Sequence, residues 1–157
     1  MREPFTQLYV HLVWGTWDRA PLLTAELMEH VDNVVRSECV RMRAEVVAFS
    51  GVADHVHLLA RFPTTVSIAQ LVKQVKGVSS HLIGQHLRVP FKWQGGYGAF
   101  TLSKSQVPRV HAYVLEQQRH HADGTMHPPL ELPTFPRTVP STHATTAPLQ
   151  SAKADFV

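Results

Sequence analysis

The sequence predicts an α+β fold, a ferredoxin-like antiparallel sheet sandwich with an extra C-terminal helix. Three observations point there. The hydrophobic pattern alternates between period two and period 3.6 in the order strand, helix, strand, strand, helix, strand, helix. The two middle strands are separated only by Ala53-Asp54, which makes them a hairpin. The first two helical segments each carry one apolar stripe, as helices covering a sheet must.

The elements follow in order. Thr6 to Trp14 reads as a strand because Leu8, Val10 and Leu12 recur at period two, and Trp17-Asp18-Arg19-Ala20-Pro21 breaks it. Thr24 is an N-cap, and Leu27, Met28, Val31, Val34 and Val35 give a helix running to about Met42. Glu45 to Val52 and His55 to Phe62 are the hairpin strands, and Pro63 ends the second. Ser67 caps a second helix with the stripe Ile68, Leu71, Val72, Val75, Val78, Leu82 and Ile83. Gly95, Gly96 and Gly98 loosen the loop around Trp93 and Tyr97, and Ala99 to Ser103 is a short strand. A third helix is expected from about Ser105 to His121.

After Asp123-Gly124 the composition shifts to Pro, Thr, Ala and Ser, with prolines at 128, 129, 133, 136, 140 and 148 opposing any regular element. The expected organisation is therefore a catalytic domain over residues 1–124 and a Pro/Thr/Ala-rich extended tail over 125–157. A chain of 157 residues supports one such domain with a core of its own.

No apolar run approaches a membrane span, and the polar N-terminus has no secretory pattern, so a cytoplasmic location is expected. The lone Cys39 excludes an internal disulfide and reads as a partly buried structural residue. A net charge of +3 suits a nucleic-acid partner without requiring one. Eleven histidines invite a metal reading, but composition does not say which would bind.

In His55-Val56-His57 the imidazoles lie two positions apart on a strand and project from one face. Such a pair can clamp a metal or simply pack, and by itself it does not decide. Tyr113 and Gln117 are four residues apart and share a helix face beside the stripe Val107, Val110 and Val114. In the predicted topology the crossover helices leave the other sheet face free for this helix, where the tyrosine could meet the histidines. A half-buried aromatic on an ordinary helix is the bland alternative.

Five segments together resemble the single-tyrosine HUH transposases of small insertion sequences, which act on single-stranded DNA, and their repeat-associated relatives. They are Tyr9-Val10-His11-Leu12-Val13-Trp14, Asp54 to Leu59, Val75-Lys76-Gly77-Val78-Ser79-Ser80, Trp93 to Phe100, and Tyr113-Val114-Leu115-Glu116-Gln117. They occur in family order. The resemblance implies a divalent ion, Mg2+ or Mn2+, held by His55, His57 and Gln117, with Tyr113 as nucleophile. It implies cleavage and rejoining of single-stranded DNA through a 5′-phosphotyrosine, recognition of hairpins at element ends, and a homodimer whose site forms within or between chains. Lys73, Lys76, Arg88, Lys92, Tyr97 and Lys104 are the candidate DNA contacts, each weighed against a solvated or packed role. A replication or relaxase nickase, and a decayed protein that binds hairpins without transposition, are the alternatives. Asp54 is either a histidine-orienting acceptor or a turn residue, His120 and His121 either assist the site or face water, and Tyr9 reads as packing.

Overall fold

The computed structural model describes residues 4–127, 130 and 131. Strand β1 (Leu8–Gly15) leads through a short 3-10 turn to helix α1 (Ala25–Arg41), followed by β2 (Glu45–Val52) and β3 (His55–Phe62). Helix α2 (Ile68–Leu87), strand β4 (Gly98–Leu102), helix α3 (Val107–Leu115) and helix α4 (Gln117–Asp123) complete it. The sheet order is β2-β3-β1-β4 and every pairing is antiparallel, which is the ferredoxin-like arrangement predicted.

Local chemistry accounts for these boundaries. The Thr24 hydroxyl accepts from Leu27 N and starts α1. Ser67 and Gln70 form a capping box that starts α2. The hairpin brings β2 and β3 so close at Gly51 that a Cβ there would lie 2.5 Å from the His55 carbonyl, leaving room for glycine alone.

The two sheet faces differ in kind. Val10, Leu12 and Trp14 of β1 and Val56, Leu58, Ala60 and Phe62 of β3 point toward α1 and α2 and form the main core. Cys39 is fully buried within it, beyond the partial burial expected, and burial pushes its thiol up to about 11. Glu38 ties the helices together at one end, accepting from Arg41 and from Gln74 Nε2 at 3.0 Å. The opposite face carries His11, His55 and His57, and α3 seats on it through Val110 and Val114 against Ala48 and Leu59. The register puts Val47 at a bulge, since Val46 pairs with Ala60 while Ala48 pairs with Leu59.

The expected third helix is not continuous. Lys104–Gln106 forms a 3-10 turn, α3 follows, and Glu116, at φ −96° and ψ 17°, separates it from α4. Glu116 N still bonds to Ala112 O, so the helix tightens and turns without losing that contact. No helix among the described residues is long and apolar enough to cross a membrane.

Candidate active site

The end of β3 is held in place before any chemistry is considered. Thr16 N donates to Asp54 O and Leu23 N to Ala53 O, both at 2.9 Å, so the segment after β1 grips the hairpin tip. Asp18 and Arg19 both take left-handed backbone at φ 57°, uncommon for residues other than glycine. That turn lets Arg19 Nε donate to Asp54 Oδ2 at 2.9 Å. Asp54 Oδ1 in turn lies 2.7 Å from His55 Nδ1, which assigns the proton to Nδ1 and leaves the Nε2 lone pair facing the site. Asp54 is thus the orienting acceptor, and Arg19 is a supporting residue for which the sequence offered no pattern.

His57 is oriented from the other side. Its Nδ1 lies 3.0 Å from His11 Nε2, and the two rings stack at 5.2 Å. Burial pulls His11 down to about 4, so it is neutral and able to accept. Burial, with the neighbouring His11 and His55, also drives His57 well below its ordinary value. A neutral imidazole is what metal ligation needs. At His55 burial acts downward too, but the bonds to Asp54 and Glu131 outweigh it and raise the pKa. The same two carboxylates that favour a proton there also favour a cation.

Glu131 enters from the segment expected to be an extended tail. Its Oε2 lies 3.5 Å from His55 Nε2, 3.7 Å from His57 Nε2 and 3.9 Å from His121 Nε2. His55, His57 and Glu131 offer ligand atoms all within 4.8 Å of one another. Beyond these long approaches to Glu131, the buried His55 Nε2, His57 Nε2 and His121 Nε2 have no hydrogen-bond partner among the described residues, and Gln117 Oε1 has none. Buried acceptors left unpaired are costly, and a divalent cation would satisfy them, so this donor set fits a metal. The expected boundary after Gly124 falls before Glu131, while residues 132–157 of that tail lie outside the described residues.

Tyr113, on α3, stands beside this cluster within the same chain. Its ring lies 6.1 Å from that of His57, edge to face, and 4.8 Å from that of His120. The hydroxyl donates to Glu131 Oε1 and accepts from His127 N at 3.2 Å. Burial, reinforced by the Glu131 bond, pushes the phenol up to about 12. Gln117 is wholly buried, and its Nε2 donates to Tyr113 O at 3.1 Å, so the two residues meet despite the break at Glu116.

The chain belongs to the IS200-like transposase family. The family model for IS200-like transposases matches residues 4–117, well over half of the chain. The sequence is 25% identical over 118 residues to the ISDra2 transposase TnpA of Deinococcus radiodurans, covering 71% of this chain and 84% of that protein. A candidate transposase of the same organism, known from a crystal structure, aligns with a TM-score of 0.60 at 27% identity, covering 74% of this chain and 95% of the other. The fold also matches a REP-associated tyrosine transposase bound to a REP hairpin, with a TM-score of 0.59 at 13% identity over 80% of this chain and 74% of that one. The IS200-like chain is accordingly a DNA transposase, an enzyme that cleaves DNA.

The candidate DNA contacts are scattered over this IS200-like fold. Lys92 Nζ sits 4.1 Å over the ring of Trp17, an exposed aromatic just past the strand end that pairs with His55. Lys73 lies on the helix layer among Glu38, Arg41 and Gln70, on the sheet face away from the histidines. Arg88 caps α2 in left-handed backbone, Lys104 begins the 3-10 turn before α3, and Tyr97 packs partly against the main core. Lys76 is engaged: Nζ donates to Gln94 O and reaches the Gly95 and Gly96 carbonyls at 3.4 and 3.3 Å, and burial lowers its pKa. Beside it, Trp93 Nε1 donates to Ser79 Oγ at 2.9 Å. These bonds tie the Val75–Ser80 and Trp93–Phe100 segments together. Lys76→Met is therefore expected to cost about 1–3 kcal/mol of stability in urea denaturation, by stranding those carbonyls. A variant as stable as the parent would show that the clamp contributes nothing.

Proposed function

We propose that this transposase cleaves and rejoins single-stranded DNA at hairpin-bearing element ends, with Tyr113 as nucleophile and a 5′-phosphotyrosine intermediate. The observation that carries the reading is the meeting, in one chain, of the Tyr113 hydroxyl with the buried Nε2 atoms of His55 and His57, which find no other hydrogen-bond partner than the Glu131 carboxylate among the described residues. The homodimer that the resemblance implies is then not required to bring tyrosine and histidines together.

His55 and His57 would hold a divalent ion, Mg2+ or Mn2+, with Gln117 Oε1 as a third ligand. Such an ion would polarise the scissile phosphate and stabilise the charge that develops on it. Asp54 and His11 fix the two ring orientations from behind. Tyr113 oxygen attacks phosphorus as the P–O3′ bond breaks, the phenol proton ending on the departing oxygen as a 3′-hydroxyl, and one phosphodiester is exchanged for another, so rejoining consumes no nucleotide cofactor. Trp17 and Lys92, beside the His55 end of β3, offer a stacking face and a cation to the strand.

In the arrangement described, Glu131 fills the space between tyrosine and histidines and stands where a phosphate oxygen of the DNA would bind. Tyr113 is only 4% exposed behind it. DNA entry therefore displaces Glu131, which also removes the carboxylate that helps hold the phenol protonated. Glu131→Ala should raise the initial rate of adduct formation by roughly tenfold, the penalty for a binding-competent state populated at about a tenth. A fall in rate would instead make Glu131 a required ligand or proton acceptor. The test of the function itself is incubation with labelled single-stranded DNA carrying the hairpin that flanks the coding gene, in Mn2+ or Mg2+. A denaturation-resistant protein–DNA species and a free 3′-hydroxyl are expected, both lost in EDTA; cleavage without a covalent species would overturn the assignment.

A further inference from the structure

On the far side of the sheet, in the α1–α2 layer, a second group of metal-binding side chains meets. Glu26 and His30 are one turn apart on α1 and so share a face, and His86 lies in the last turn of the antiparallel α2. His86 Nε2 is 3.9 Å from Glu26 Oε1, and the His30 and His86 rings approach to 5.6 Å. Each of the three residues offers one ligand atom, and these atoms all lie within 4.8 Å of one another. Metal bonds of about 2.0–2.1 Å require tetrahedral ligand atoms about 3.4 Å apart. Glu26 and His86 are exposed enough to close that gap by side-chain rotation alone.

We propose that Glu26, His30 and His86 form a second metal site, for a zinc-class divalent ion, that clips the start of α1 to the end of α2. Two imidazoles and one carboxylate suit Zn2+ and its later first-row neighbours, whereas Mg2+ prefers oxygen ligands and its own waters. The position gives such an ion a mechanical role. At the other end of the same helix pair, Glu38 and Gln74 already supply a partly buried hydrogen bond. At this end, the last turn of α2 runs into the left-handed Arg88 and the segment that carries Lys92 to its place over Trp17. A clip there fixes the root of that segment, and it does so independently of Tyr113 and the histidine pair on the opposite face.

The test is a Zn2+ titration of the full chain against a competing chromophoric chelator, comparing wild type with His86→Ala, His30→Ala and Glu26→Ala. The wild type is expected to bind one equivalent more than His86→Ala or His30→Ala, while Glu26→Ala weakens that equivalent at least about tenfold. His57→Ala must retain it, which separates this site from the one beside Tyr113. Zn2+ should also raise the melting temperature of His57→Ala, and fail to raise that of His57→Ala combined with His86→Ala. Far-UV circular dichroism without metal checks that each variant is folded, and Glu26, on the exposed first turn of α1, is the substitution least able to disturb the core. Equal zinc stoichiometry and affinity in wild type and all three variants would overturn the proposal.

Discussion

Replacing Tyr113 with Phe is expected to abolish the covalent protein–DNA species completely while leaving a folded protein that still binds the DNA hairpin. The ring stays where it is, because its neighbours are the rings of His57, His120 and His127, and a phenyl group meets them equally well. Only the hydroxyl is lost, and with it one hydrogen bond to Glu131 and one from His127 N. The stability cost should therefore stay near 1–2 kcal/mol, visible as a modest fall in melting temperature. The chemical loss is expected to be total because, among the described tyrosines, Tyr113 is the one in ring contact with the histidine pair: Tyr9 stands opposite Arg61 and Leu102 toward the other end of β1, and Tyr97 packs on the opposite core. Gel analysis of denatured reactions checks this, and a persistent adduct would transfer the nucleophile's role elsewhere.

His57→Ala should lower the cleavage rate by more than about 100-fold, beyond the 10–100-fold typical of losing a group that only orients a ligand. His57 is completely buried, sits against His11 on one side and Glu131 on the other, and presents an Nε2 with no other partner. The substitution also opens a cavity and strands His11, so some stability is lost as well, about 1–3 kcal/mol. The two effects separate experimentally. Thermal melts report the second, while Mn2+ titration of cleavage at saturating DNA reports the first. A rate that recovers fully at high Mn2+ would mean that His57 tunes affinity for the ion and little else.

Much of this protein was legible in its sequence because its signals are local. Both hairpin strands run over the residues expected of them, Thr24 and Ser67 cap the helices they were expected to cap, and period two alone puts His55 and His57 on one face. His11 could have been found the same way. Once Val10 and Leu12 point to the core, His11 must point to the histidine face. The helix break at Glu116 was not legible, since Val114 to Gln118 contains no proline or glycine to mark it. Asp18 and Arg19 adopt left-handed backbone uncommon outside glycine, so the bond from Arg19 to Asp54 rests on a turn that no local pattern announces. Glu131 follows two prolines in a segment with no periodicity, and no spacing rule connects it to residues 55 and 57. Lys76 shows the limit of charge counting, because its ammonium is occupied by backbone carbonyls of the glycine loop.

The central claim, that Tyr113 is the nucleophile beside the histidine pair, is tested most directly by mapping the covalent species. The wild-type protein is reacted with single-stranded hairpin DNA in Mn2+, denatured, digested with nuclease and trypsin, and analysed by tandem mass spectrometry. The account predicts a nucleotide joined through its 5′-phosphate to Tyr113 and no other modified residue. A nucleotide on any other side chain, or one joined through a 3′-phosphate, would contradict it.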